Sequence, residues 1–267
     1  MTHASMKSSF STVACPSSDL PAALGLAAEL GYDGVEIFAG MDRVTCERPA
    51  DGPAIAAIAT MVAFSGQSDR DAQAAQRLAL LIRRSAECGC PCIALDGPTI
   101  QRKQDRAAVC GSFMDWLYPV ADLAAEAGVV LAIRNAPSVS RSGELWTMLE
   151  MRPHRAIGVC WDSHSAQQAG ESSVIAVPTL NSRIVHVQLR VAALRSGDRS
   201  PDAQILHRLR GIGYGGFVSH VWFAPADGTI DQCREMLREA LAQSKAALAP
   251  PVVEKKPPAA KPAPAAA

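Results

Sequence analysis

Eight short β-rich runs punctuate the chain, at 8–14, 34–38, 60–64, 92–96, 129–134, 157–162, 184–189 and 217–221, with helical patterns between them. This alternation limits the possible folds more than any other feature. Most of the runs are continuous apolar stretches, the pattern of parallel strands covered by helices. The segments between them have 3.6-residue periodicity and marked ends. Leu20, Ala23, Leu24 and Ala27 share one helix face, Ser18 or Asp19 is placed to cap its start, and Gly31 to stop it. A second stripe, Phe113, Trp116, Leu117, Val120, Ala124 and Ala127, ends at Gly128, and Pro119 inside it is expected to kink or split that helix. After the last strand, Cys233, Met236, Leu237, Ala240 and Leu241 form a face that would seal the fold.

Eight βα units within about 240 residues predict an α/β fold, a (β/α)8 barrel whose functional residues sit at the carboxyl ends of the strands. A doubly wound open sheet is the main competitor, but the first strand lacks the G-x-G-x-x-G turn that recruits a dinucleotide. The barrel is assigned to residues 1–248. Residues 249–267 end in PPVVEKKPPAAKPAPAAA, which has too few apolar groups to build a core and is expected to be a disordered tail.

With 267 residues and 48% hydrophobic side chains, the chain can bury a substantial core. It has no apolar run near the ~20 residues of a membrane span, and its first ten residues, MTHASMKSSF, lack the apolar centre of a secretory signal, so a cytoplasmic protein is expected. Lysine plus arginine balances aspartate plus glutamate at 26 each, with no basic stripe among aromatics, which argues against nucleic acid or an anionic membrane as partner. A small molecule is the expected ligand, and homo-oligomerisation stays open. Eight scattered cysteines do not read as a disulfide scaffold. The C-x-C-x-C cluster Cys88, Cys90 and Cys92 lacks zinc-site spacing and is read as buried small hydrophobes.

The phrases ELGYDGVEIF (29–38), AEAGVVLAIRNAP (125–137), GVCWDSHSA (158–166), RIVHVQLRV (183–191) and GIGYGGFVSHVW (211–222) come in an order and spacing that resemble the xylose-isomerase-like sugar phosphate isomerases and epimerases. The resemblance implies a TIM barrel holding Mn²⁺, Mg²⁺ or Zn²⁺ through a Glu, an Asp, a His and a second Glu at the ends of strands five to eight. Carried over residue by residue, these ligands fall on Arg134, Asp162, Gln188 and Val221, unless a one-residue slip puts His220 in the last place. Only Asp162 matches. Losing two carboxylates and gaining a guanidinium shifts the local charge by about three units, enough to disfavour a divalent cation, so the expectation is no metal and no other cofactor.

Several residues carry an alternative to the lost chemistry. Arg134 could take the cation's place and grip an oxyanion, or could simply bridge to Asp162, its natural partner. His164, two residues after Asp162, would share a face with it on an extended segment and could transfer protons, or could be a loop-start histidine bonded to the backbone. Glu36 is either an acceptor supporting other residues or a general base, and His186 is either a candidate acid or base facing the pocket or a satisfied core histidine. Gln188 and Arg190 extend the same row and are read with Arg134 and Asp162 as ligand-binding. Trp161 and Trp222 could wall the ligand or pack against helices. The implied function is an isomerase- or epimerase-like protein for a small sugar- or hydroxyacid-like ligand, the alternative being an inactive pseudoenzyme that binds a ligand or serves in assembly.

Overall fold

A computed structural model of the chain describes residues 5–15, 19–39, 51–135, 138–191, 201–223 and 229–249. Eight parallel strands close into a barrel in chain order: β1 Lys7–Ser11, β2 Gly34–Ala39, β3 Ala54–Thr60, β4 Cys92–Asp96, β5 Val130–Arg134, β6 Ile157–Asp162, β7 Ile184–Arg190 and β8 Phe217–Val221. Around them run α1 Leu20–Leu30, α2 Ser68–Glu87, α3 Arg106–Glu126, α4 Ser142–Met151, α5 Ser163–Gln168, α6 Ser173–Leu180, α7 Pro201–Gly211 and α8 Ile230–Leu248. Short 3-10 turns follow β1 and precede β7. No helix among the described residues is long and apolar enough to cross a membrane.

Local sequence explains the helix ends. Asp19 caps α1 by accepting from the Ala22 amide at 2.9 Å, and Gly31 terminates it at φ +78°, a conformation that favours glycine. Asp105 caps α3 by accepting from Ala107 and Ala108. Pro119 does not split α3, which runs unbroken from Arg106 to Glu126. Burial of Phe113, Met114, Leu117, Val120 and Ala121 against the barrel outweighs the one backbone hydrogen bond that proline removes.

Strand residues divide between two cores. Ile55, Ile58, Leu95, Ile133 and Val159 pack outward under the helices. Inside the barrel, Ala57, Ala59, Cys92, Ala94, Ala132 and Cys160 form a separate cluster of small side chains, and Ser9 and Ser219 join hydroxyls at 2.7 Å. These small residues leave room above them for larger polar side chains.

Two sequence expectations need correction. The third strand lies at Ala54–Thr60, not 60–64. Four of the seven residues of its AIAAIAT run are alanine, which is depleted in strands, but Ala57 and Ala59 fit the crowded lumen while Ile55 and Ile58 face the helices. The first strand ends at Ser11, and the rest of the 8–14 run forms the 3-10 turn Thr12–Ala14. Residues 250–267, which make up nearly all of the expected tail, lie outside the described residues.

The cysteines also depart from expectation. Cys15 and Cys233, 218 residues apart, form a disulfide that ties the chain after β1 to the first turn of α8. Cys88 is disulfide-bonded as well, whereas Cys90 and Cys92 are free and buried. Barrel closure sets the last helix beside the first strand, which makes the long-range pairing possible.

Candidate functional site at the barrel mouth

The strand register gathers the resemblance-implied positions at one end of the barrel. Arg134 and Asp162 end β5 and β6, Gln188 pairs with Asp162 across β6 and β7, and Arg190 pairs with Val221 at the end of β8. Together with Ser11, Val13, Glu36, Phe38 and Phe223 they line a cavity of about 50 Å³. The one-residue slip does not occur. Val221 reaches the mouth, while His220 turns outward, bonded to Tyr32 and Ser244. Tyr32 donates to the Leu237 carbonyl at 2.8 Å, so His220 Nδ1 is assigned as donor to Tyr32 and Nε2 as acceptor from Ser244. Burial lowers the His220 pKa to about 4.

Glu36 anchors the polar layer beneath the mouth. It reaches across the lumen from β2 to β7, where His186 Nε2 lies 2.7 Å from its Oε2 and Gln188 Nε2 donates to both of its oxygens at 2.9 and 3.0 Å. Glu36 and His186 are each 1% exposed. Burial alone would raise the Glu36 pKa, but hydrogen bonding and charge attraction from His186, with bonds from Gln188 and Ser11, hold it below the ordinary value.

Asp162 does not bridge to Arg134 as expected. Its Oδ1 accepts from the amides of His164 and Ser165 at 2.8 and 3.2 Å, and its Oδ2 accepts from the Ser165 hydroxyl at 3.3 Å, making it the cap of α5. Asn135 locks the same residue's backbone, donating to the Asp162 carbonyl at 2.9 Å and accepting from its amide at 2.7 Å. The turn into α5 also makes His164 a helical residue rather than part of an extended segment, and it is not among the residues lining the cavity.

Arg134 pairs instead with Asp96, at the end of β4. Its Nε and Nη2 lie 2.7 and 2.6 Å from Asp96 Oδ1, with the arginine side chain 19% exposed and the aspartate 45%. Burial opposes the guanidinium's charge, but the carboxylate outweighs it and raises the pKa. Sequence reading passed over Asp96 although it ends an assigned strand, the position where a barrel places functional side chains. It also missed Ser11 and Phe223 at the mouth. Trp222 packs against the core and Trp161 is buried within it.

A divalent cation requires several unspent oxygen or nitrogen ligands. Here Asp162 is committed to a helix end, Gln188 turns its amide nitrogen to Glu36, Arg134 carries positive charge and Val221 offers no donor. This donor set does not fit the metal. Among the described residues, no group of three or more His, Cys, Asp or Glu is arranged to hold one. A larger cavity of about 340 Å³ lies between the strands β1 and β8 and the helix α8, bordered by Lys7, Asp33, His220, Leu241, Ser244 and Lys245, and is lined by none of Arg134, Asp162, Gln188, Arg190 and Val221.

The family model of xylose isomerase-like TIM barrels matches residues 24–240. Similar solved structures include a D-psicose 3-epimerase from Clostridium cellulolyticum H10 crystallised with D-tagatose, which is 16% identical at a TM-score of 0.79 and covers 91% of this chain and 99% of the other. An L-ribulose 3-epimerase is 17% identical with a TM-score of 0.75, covering 90% and 92%. The IOLI protein, solved with a binding zinc atom, is 16% identical with a TM-score of 0.68, covering 91% and 96%. No curated protein matches the chain. At these identities the structural likeness establishes the fold alone.

Proposed function

Because the chain belongs to the xylose isomerase-like TIM barrel family, we propose that it is a sugar isomerase- or epimerase-like protein that handles a small polyhydroxylated or anionic metabolite at the barrel mouth without a divalent metal. The observation that carries this reading is the fate of the one matching ligand position. Asp162 is committed to the α5 cap, and Arg134 stands at a neighbouring strand end, neutralised by Asp96. In a catalytic version, Glu36 or His186 exchanges a proton with the ligand and Arg134 stabilises the oxyanion that forms.

The second reading, a binding protein that has given up turnover, is favoured by the closure of Glu36 and His186 on each other at 1% exposure. Groups already satisfied by one another must reorganise before they can reach a substrate. The deciding experiment is a thermal-shift and turnover panel of sugars, sugar phosphates and hydroxyacids, with and without Mn²⁺. Metal-independent stabilisation by a panel member, abolished by blocking the mouth with Val221→Trp, supports the proposal. A requirement for Mn²⁺ overturns it. A cytoplasmic setting belongs to the same proposal. Thiol trapping that finds Cys15 and Cys233 reduced in cells supports that setting, and a fully oxidised pair counts against it.

A further inference from the structure

Among the described residues, every negative group lining the mouth already has partners. Glu36 is taken by His186 and Gln188, Asp162 by the start of α5, and Asp96 by Arg134. Arg190 is different. It is half-buried at the end of β7, its side chain has no ion-pair or hydrogen-bond partner among the described residues, and its guanidinium carbon lies 4.8 Å from the centre of the Phe223 ring. An aromatic face holds a guanidinium plane without using its N–H donors, so the fork remains available to a ligand.

We propose that Arg190, oriented by Phe223, is the seat for a ligand carboxylate, and that the mouth therefore selects small hydroxy or keto acids over neutral sugars. The inference rests on the reading of the mouth as the ligand site and names its substrate class. Charge and size both favour a carboxylate. A phosphate dianion calls for a second uncompensated cation, and Arg134 is already matched by Asp96. A cavity of about 50 Å³ is far below the ~300 Å³ at which whole-ligand pockets begin, yet it holds a group the size of a few waters. The carboxylate enters, and the rest of the ligand lies toward the opening. Ser11, Gln188 and Arg134 are the polar residues beside the seat that could meet an adjacent hydroxyl or carbonyl.

Glycerate, glycerol and glycerol 3-phosphate share a three-carbon frame and differ in head group, so they serve as probes. Binding is measured by titration calorimetry at fixed ionic strength, on the full chain and on Arg190→Gln, Arg190→Lys, Phe223→Leu and Val221→Trp, with folding checked by circular dichroism. The expected result is preference for glycerate, about tenfold or greater loss in Arg190→Gln, partial loss in Arg190→Lys despite the retained charge, and loss in Val221→Trp. Glycerol bound as well as glycerate, with Val221→Trp abolishing binding and Arg190→Gln leaving it intact, overturns the carboxylate seat and leaves the mouth as the ligand site. Preference for glycerol 3-phosphate overturns the choice of carboxylate. Binding insensitive to both Val221→Trp and Arg190→Gln, or no binding by any probe, overturns the seat together with the mouth reading.

Discussion

Replacing Glu36 by alanine tests whether the layer under the mouth behaves as a buried network. The change strands His186 Nε2 and Gln188 Nε2, both of which now lie within 3.0 Å of the carboxylate. An orphaned buried donor costs about 1–3 kcal/mol, and breaking a buried ionic contact from one side costs about 3–5 kcal/mol. Glu36 borders the mouth cavity, so water can reach part of the vacated space and the expected loss falls at the lower end, about 3 kcal/mol. For a chain of this size that corresponds to a fall in Tm of roughly 6–12 °C. Urea unfolding followed by circular dichroism measures it directly. The double variant Glu36→Leu/His186→Leu removes both members of the pair and should recover part of the loss, because a buried pair replaced by apolar groups is close to neutral while Gln188 Nε2 still lacks its acceptor. The pH profile supplies a second arm. The folded-state pKa of Glu36 lies below its ordinary value of 4.5, so its stabilisation is present above 4.5 and is lost as pH falls through the lower folded value. Glu36→Gln should flatten that acid limb. A Glu36→Ala penalty below about 1 kcal/mol, the scale of a solvent-exposed pair, would refute the reasoning.

Further outcomes follow from other parts of the structure. His220 drops from an ordinary pKa of 6.5 to about 4 on burial, so its neutral form favours folding above pH 6.5 and that contribution is lost as pH falls toward 4; His220→Phe should show a shallower Tm decline between pH 7 and 5 than the wild type. Reducing the Cys15–Cys233 disulfide opens a cross-link spanning 218 residues, worth up to about 5 kcal/mol in the chain-entropy account, so Cys233→Ser should melt earlier than the oxidised wild type and match the reduced protein more closely. Gly34→Ala places a Cβ 2.8 Å from the Ala54 carbonyl and 2.9 Å from the Phe217 ring, and should cost about 1–3 kcal/mol in urea unfolding.

The sequence by itself determined the architecture, because local periodicity and burial dictate it. Runs such as 92–96, 157–162 and 217–221 are apolar throughout, strands of that kind need helices over them, and Asp19 and Gly31 mark helix ends through short-range hydrogen bonding and backbone freedom. The resemblance, laid over those strands, put Arg134, Asp162, Gln188 and Val221 at one mouth, where all four line the same cavity. The Ala54–Thr60 strand was misplaced because its small side chains answer to the crowded lumen, a demand that exists only once the barrel closes.

Partner choice within the mouth was decided by the tertiary structure alone. Arg134 could reach a carboxylate on either side, and neighbouring strands β4 and β5 put Asp96 opposite it while the turn into α5 claimed Asp162. Glu36 meets His186 across 150 residues of sequence, and Cys15 meets Cys233 across 218. Such contacts depend on which strands face each other through the lumen and where the last helix docks. A local pattern can place a side chain at the end of a strand, but closure of the chain selects the group it touches.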